Sequence, residues 1–341
     1  MAVEPLMGTR AQRAFIITIG VQAVIVITMV ACTFGIVHAY LGNIFDSGSY
    51  KTLSCYLALF ILAEGFELFM AYDALRMRNI IQLLGIILFH GALIVFSALQ
   101  VHETRVALVN NGWLLHKVEP FLIVAPCIVA ASWLFLIFWL KQLYGEFGWV
   151  IFHVVGASPK LKSMYQFYQI FICLLKFDFF CFVGVTMQLL IVVLSANSAE
   201  FGLTITAIPV VLTLIAGCGY AVRREIKWMM SIALALMLPC MGYFYKLARF
   251  YLPLSQSEYI TTRATLTVFT IVAFLLLLTT FLVGLKCFYD FDKGLLDSKT
   301  HGQFYKPVRQ QALGAFKIGQ KSERQSSYMG GTPLQPQISI E

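Results

Sequence analysis

The sequence predicts an all-α membrane protein: a polytopic transmembrane helical bundle of eight spans, followed by a disordered C-terminal tail. Three observations predict it. Eight long apolar stretches divide the 341-residue chain. Hydrophobic residues make up 59% and charged residues only 12%, against about 25% charged in an ordinary soluble domain. Such a chain could not cover a water-facing surface. Finally, Lys and Arg between the stretches fall mostly in alternate connections, as retention of basic residues on the cytosolic side of a membrane requires.

A helix needs about 20 apolar residues to cross hydrocarbon, because each adds about 1.5 Å. The spans so defined are 14–37, 55–75, 80–101, 121–140, 170–194, 203–222, 229–251 and 264–289. They divide the chain into a cytosolic N-terminus (1–13), a transmembrane domain (14–291) and a cytosolic tail (292–341). The first run is too long for a signal-peptide core and has no small-residue cleavage motif behind it, so it is expected to act as a signal anchor. Segments assigned to the cytosol carry Arg10, Arg13, Arg76, Arg78, Lys141, Lys160, Lys162, Arg223, Arg224 and Lys227. Lumenal connections carry Lys51, Arg105, Lys117 and Arg263, with Lys246 and Arg249 snorkelling at the end of span seven. Both termini are therefore expected in the cytosol. A seven-span variant, with one of spans six to eight misread, is the fallback.

Short links set neighbours. Arg76 to Asn79 joins spans two and three as an antiparallel hairpin, and Arg223 to Trp228 joins six and seven. In the longer connection 141–169, Trp149-Val-Ile-Phe-His-Val-Val reads as an amphipathic segment along the headgroups. Ser158-Pro159 then reads as a cap and first helical residue leading into span five. Pro126, Pro209 and Pro239 fall inside spans four, six and seven, where each removes a backbone hydrogen bond and should bend its helix. Glu119-Pro120 reads as the start of span four and Asp46-Ser-Gly-Ser49 as a lumenal turn.

A net charge of +8 is explained by the cytosolic bias, so no nucleic-acid partner is implied. The partners implied are the lipid bilayer and, for the tail and the 141–169 loop, cytosolic trafficking proteins. Tyr305-Lys-Pro-Val308 matches a tyrosine-based sorting pattern, but one that arises by chance in many tails. The eight cysteines lie in or beside apolar spans and read as small buried hydrophobes, not a disulfide framework or metal site. The six histidines form no paired boxes, and no His-Glu-x-x-His, Walker loop or Gly-x-Ser-x-Gly elbow occurs. A non-enzymatic protein without cofactor is expected.

Chemistry, if any, should lie with ionisable groups inside the bilayer, each expensive unless paired or hydrated. These are Glu64 and Glu67 in span two, His90 in span three, and Lys176 and Asp178 in span five. Counted from the cytosolic ends, Glu64 lies roughly 16 Å deep, His90 about 15 Å, Glu67 and Asp178 about 12 Å and Lys176 about 9 Å. Glu64 and His90 are thus level across the hairpin, and Glu67 is near Lys176 in depth. Asp178 points almost opposite to Lys176, two residues being about 200° of rotation. The functional expectation is that all five line one internal cavity handling a proton, an ion or a polar solute. The structural alternative is interhelical glue, with Lys176 snorkelling.

Further motifs are shared with a known family. Asp73-Ala-Leu-Arg-Met-Arg-Asn79 with Ile81-Gln82, Met164-Tyr165-x-x-Tyr168-Gln169 and Leu175-Lys-Phe-Asp-Phe-Phe180 resemble an uncharacterised fungal family of multi-pass Golgi apparatus membrane proteins. So do Leu203-Thr-Ile-Thr-Ala-Ile-Pro209, Val222-Arg-Arg-Glu225 and Phe291-Asp-Lys-Gly-Leu295, in order and with similar spacing. Ala157-Ser158-Pro159 departs from the acidic residue expected after the alanine, and the tail is not covered. The resemblance implies an integral protein of fungal Golgi membranes and brings no activity or binding residue with it. A transporter or channel-like role for a small solute, proton or lipid is the leading expectation. A structural or trafficking protein acting through the tail and the 141–169 loop is the alternative.

Overall fold

The computed structural model describes residues 8–41, 48–108, 112–155, 159–193, 199–251 and 260–293. All of them fall within one compact unit, Val3–Gln303, and most of the tail lies outside them. Eight α-helices account for nearly all of the described residues: α1 Arg10–Leu41, α2 Gly48–Met77, α3 Ile80–Ala107, α4 Gly112–Val155, α5 Pro159–Gln188, α6 Ala199–Arg224, α7 Lys227–Tyr251 and α8 Ile260–Tyr289. Every one is long and apolar enough to cross a membrane. Their outer faces confirm which solvent they meet. Leu88, Val24 and Leu134 are 72%, 68% and 66% exposed, a liability in water and ordinary in hydrocarbon. Hydroxyls on those faces, such as Thr28, return to the carbonyl four residues back (2.6 Å to Val24), so no polar atom is left to lipid there. The chain is an integral membrane protein of the eight-span form.

Helix α1 shows how the bundle closes. Ala11, Phe15, Ile19, Gln22, Val26, Val30, Thr33 and Val37 are buried at three- and four-residue intervals, one face of a helix, while most residues between them are half-buried or exposed. That face packs mainly on α4, which answers with Leu122, Ala125, Val129 and Leu136. Helix α5 packs chiefly on α8, α7 on α8 and α6, and α3 runs between α2, α4 and α5. Lipid tails are as apolar as leucine, so close packing rather than water exclusion holds these helices together. Two glycines bring backbones close. A Cβ on Gly85 of α3 would stand 2.9 Å from the Phe177 ring and 3.1 Å from the Cys173 sulfur of α5. On Gly284 of α8 it would stand 2.9 Å from both Leu234 of α7 and Phe171 of α5.

The two short turns lie where the links predict. Between α2 and α3, Arg78 takes a left-handed conformation (φ 51°) and Asn79 caps α3, its side-chain oxygen accepting from the Ile81 and Gln82 amides at 3.0 and 3.3 Å. Between α6 and α7, Glu225 is left-handed (φ 55°), and its carboxylate accepts the Asp292 amide at 3.2 Å, tying the turn to the end of α8. Lys227 pairs with Asp292 there. Burial alone would raise the Asp290 carboxyl, but Lys293 and Lys286, at 2.8 and 3.1 Å, hold it below the usual carboxylate range.

Two expectations need correction. Glu119-Pro120 does not open a helix: α4 starts at Gly112 and carries Pro120 and Pro126 within one continuous run. Intramembrane helices accommodate proline because neighbouring groups take up the freed carbonyl. Residues 149–155 are not a separate surface segment but continue α4, making it 44 residues long. Helix α5 begins at Pro159, the first helical residue expected from the sequence, where the missing amide hydrogen of proline costs nothing, while Ser158 lies outside the described residues. It ends in a π-helical turn, Leu189–Val193. Pro209 and Pro239 lie within α6 and α7. Asp46 and Ser47 fall outside the described residues; Gly48 already belongs to α2. Five of the cysteines are buried and none is disulfide-bonded.

Candidate functional site

The intramembrane ionisable groups are all present inside the bundle, but in three places rather than one. The central set joins four helices. Glu67 of α2 meets His90 of α3, Oε1 to Nδ1 at 2.6 Å, and both side chains have no solvent exposure. The other ring nitrogen of His90 lies 3.0 Å from the Val129 carbonyl and 3.1 Å from the Ser132 hydroxyl of α4. One turn away Glu64 faces α1, where the Gln22 amide nitrogen donates to its two oxygens at 3.2 and 3.1 Å. Gln22, Glu64, Glu67 and His90 are all 1% exposed or less. Two atoms in this set have no hydrogen-bond partner, Gln22 Oε1 and Glu67 Oε2.

The second set sits at the α2–α3 turn. Lys176 of α5 pairs with Asp73 of α2 and donates to Gln82 of α3 at 2.8 Å. The Gln82 amide in turn donates to Asp73 at 3.1 Å and to the Met70 carbonyl at 3.0 Å. Three helices are stitched together here, with about a fifth of Lys176 and a quarter of Asp73 exposed. Third, Asp178 lies on the far side of α5. The Thr280 side chain of α8 lies beside it. That hydroxyl already donates to the Leu276 carbonyl at 2.9 Å, and both Asp178 oxygens are buried with no well-formed hydrogen bond.

The expected pairings are thereby redrawn. His90 takes Glu67, not Glu64, and Lys176 takes Asp73, not Glu67. Azimuth, rather than depth counted along the chain, decides partners. Residues three apart differ by about 60° on a helix, enough to turn Glu64 toward α1 and Glu67 toward α3. Asp178 does point away from Lys176, as two residues' rotation requires. Gln22, Asp73, Gln82 and Ser132 belong to the sets and were not singled out from sequence. Their signal was weak because neutral polar residues are common in membrane helices, and Asp73 lies close enough to the turn to read as a headgroup residue.

The five residues fall into three separate sets, and none of them lines the cavity between α3, α5 and α8, with α2 behind it. That cavity has a volume of about 610 Å³. Its walls are apolar or cysteine throughout, from Ile81 and Ile170 near the α2–α3 turn to Leu99 and Val268 toward the other end. Phe89, Phe177 and Phe180 form its inner wall, their rings packed edge to face and tilted at 4.9–5.9 Å. Its outer lip is made of the exposed side chains Leu84, Leu88 and Val95. The space is therefore a groove open toward the lipid.

The shared motifs lie along these walls and turns: Asp73–Gln82 supplies the lysine set, and Leu175–Phe180 the groove and Asp178. The chain is similar to a fungal Golgi protein. A UPF0658 Golgi apparatus membrane protein of Schizosaccharomyces pombe is 28% identical over 268 residues, covering 70% of this chain and 76% of the relative. This bears out the resemblance to that uncharacterised fungal group. No protein-family model matches the chain. No solved structure matches it either.

Proposed function

We propose that the protein is a Golgi membrane protein that holds the acyl chain of a membrane lipid in the α3–α5–α8 groove. The observation that carries this reading is the groove's shape and lining. From Ile81 to Leu99 it follows α3 for 18 residues, about 27 Å, against roughly 30 Å for a hydrocarbon core. Its volume of about 610 Å³ falls within the roughly 300–1,000 Å³ of small-molecule sites. A helix of the same length, about 10 Å across, would need on the order of 2,000 Å³. A slot so long, narrow and apolar suits an extended hydrocarbon chain, and lipid is what surrounds its open side. Lipid is favoured over an ion or a proton because the buried ionisable groups lie in three separate sets, whereas the groove is lined by apolar side chains.

The Golgi assignment rests on the relative's name, and non-enzymatic action on the lack of a nucleophile or metal set in the sequence. The alternating basic residues support cytosolic termini, which eight crossings would bring to the same side. The α2–α3 and α6–α7 turns would then face the cytosol.

The groove is tested by purifying the full chain into detergent and weighing retained phospholipid by native mass spectrometry. Ala92 lines the groove and is exposed, so Ala92→Trp fills the slot without entering the core. Retained lipid should fall several-fold; unchanged occupancy in a folded Ala92→Trp protein refutes the reading. The separate pairing of Glu67 with His90 and of Lys176 with Asp73 favours a second reading, a structural or trafficking protein acting through its tail. In that case deleting residues 294–341 abolishes function while lipid retention stays intact.

A further inference from the structure

The central polar set contains more acid than its one base can balance, and that imbalance assigns a role to Glu64. The argument is independent of the groove. His90 Nε2 stands 3.0 Å from the Val129 carbonyl, an atom that only accepts, so Nε2 carries a hydrogen. Nδ1 then shares one further proton with Glu67 across 2.6 Å. Wherever that proton rests, the pair is neutral in total: either imidazolium with carboxylate, or imidazole with carboxylic acid. No positive charge is left for Glu64. The titratable groups facing it are Glu67 on its own helix and His90 on α3; α1 contributes the neutral Gln22 and α4 the neutral Ser132.

A second carboxylate here would be an unbalanced charge with no exposure, near mid-bilayer, costing several kcal/mol. A carboxylic acid needs only an acceptor for its O–H. One is present: Gln22 Oε1 is buried and without a partner, on an amide whose nitrogen lies against both Glu64 oxygens. Turning that amide over exchanges oxygen for nitrogen, so Gln22 can accept from the acid or donate to the carboxylate. We propose that Glu64 is a proton-binding site, held as a carboxylic acid with the Gln22 amide as its partner and the Glu67–His90 pair as its neutral neighbour.

Infrared spectroscopy of the full chain in lipid nanodiscs tests this directly. At neutral pH the wild type should show a deuterium-sensitive carboxylic-acid C=O band that Glu64→Gln removes. Gln22→Leu should keep the band and shift it to higher frequency, because the hydrogen bond is lost and the acid is not. Alkaline titration should abolish the Glu64 band reversibly. A wild type with no acid band, or a band unaltered by Glu64→Gln, overturns the proposal. Should Glu64→Gln not fold, Gln22→Leu decides alone: an unshifted band overturns the assignment, a shifted one supports it. Loss of the proton band on adding sodium at constant pH would mean a metal cation occupies the site, and likewise overturns it.

Discussion

Replacing His90 by leucine removes the base that faces Glu67 and leaves a fully buried carboxyl with no partner at Oε1 in addition to the orphaned Oε2. Breaking one side of a buried pair costs about 3–5 kcal/mol. Glu67→Leu leaves a histidine that can stay neutral and keep its Nε2 contacts with α4, so the loss is about 1–3 kcal/mol, that of one unsatisfied buried group. With both changed, leucine faces leucine, Ser132 keeps its bond to the Val129 carbonyl and Glu64 keeps Gln22, and replacement of a buried pair by apolar residues is often near neutral. The singles therefore sum to about 4–8 kcal/mol and the double costs about 0–2 kcal/mol, a coupling of at least about 2 kcal/mol. The four proteins would be unfolded by sodium dodecyl sulfate in mixed micelles and followed by circular dichroism. Effects that add to within about 0.5 kcal/mol would show that Glu67 and His90 do not act as a pair. A parallel cycle on Glu67 and Lys176 serves as the control, because depth alone pairs them and the structure does not; it should be additive.

Two further outcomes follow from packing. Gly284→Val should destabilise by about 1–3 kcal/mol, since its Cβ would press on Leu234 and Phe171, both too buried to withdraw. Gly242→Val, with nothing within 4 Å, should differ little from wild type in the same unfolding assay. Asp178→Leu should leave stability unchanged or raise it by about 1–2 kcal/mol, because it removes two buried oxygens that lack partners. A loss of more than about 1 kcal/mol in that titration would reveal a partner for Asp178.

Helix number and the hairpins were legible because lipid imposes a simple rule: apolar length spans, basic residues stay behind, and a four-residue link forces antiparallel neighbours. Pro159 marked the start of α5 for an equally local reason. The ends of α4 were not legible. Composition falls off at Lys141 where hydrocarbon stops, but backbone hydrogen bonding continues through Val155, and hydropathy reports the first rather than the second. Within the site, rise per residue set Glu64 level with His90 and Glu67 near Lys176, but the choice among partners depended on which helix stood at each azimuth. Nothing local to Glu64 announces that Gln22, 42 residues earlier, will be its neighbour. The groove was equally hidden, being a gap between three helices whose linings read individually as ordinary apolar spans.

The left-handed residues at the turns have one more implication. Arg78, Glu225 and Asp292 each occupy a helix-terminal seat that glycine fills with less backbone strain. An engineer seeking a sturdier protein for crystallography would place glycine there first. At Arg78 that choice would also erase one of the two cations, with Arg76, at the α2–α3 turn, which under the proposed orientation help hold that turn on the cytosolic side. Ease of folding and correctness of threading thus pull against each other at a single position.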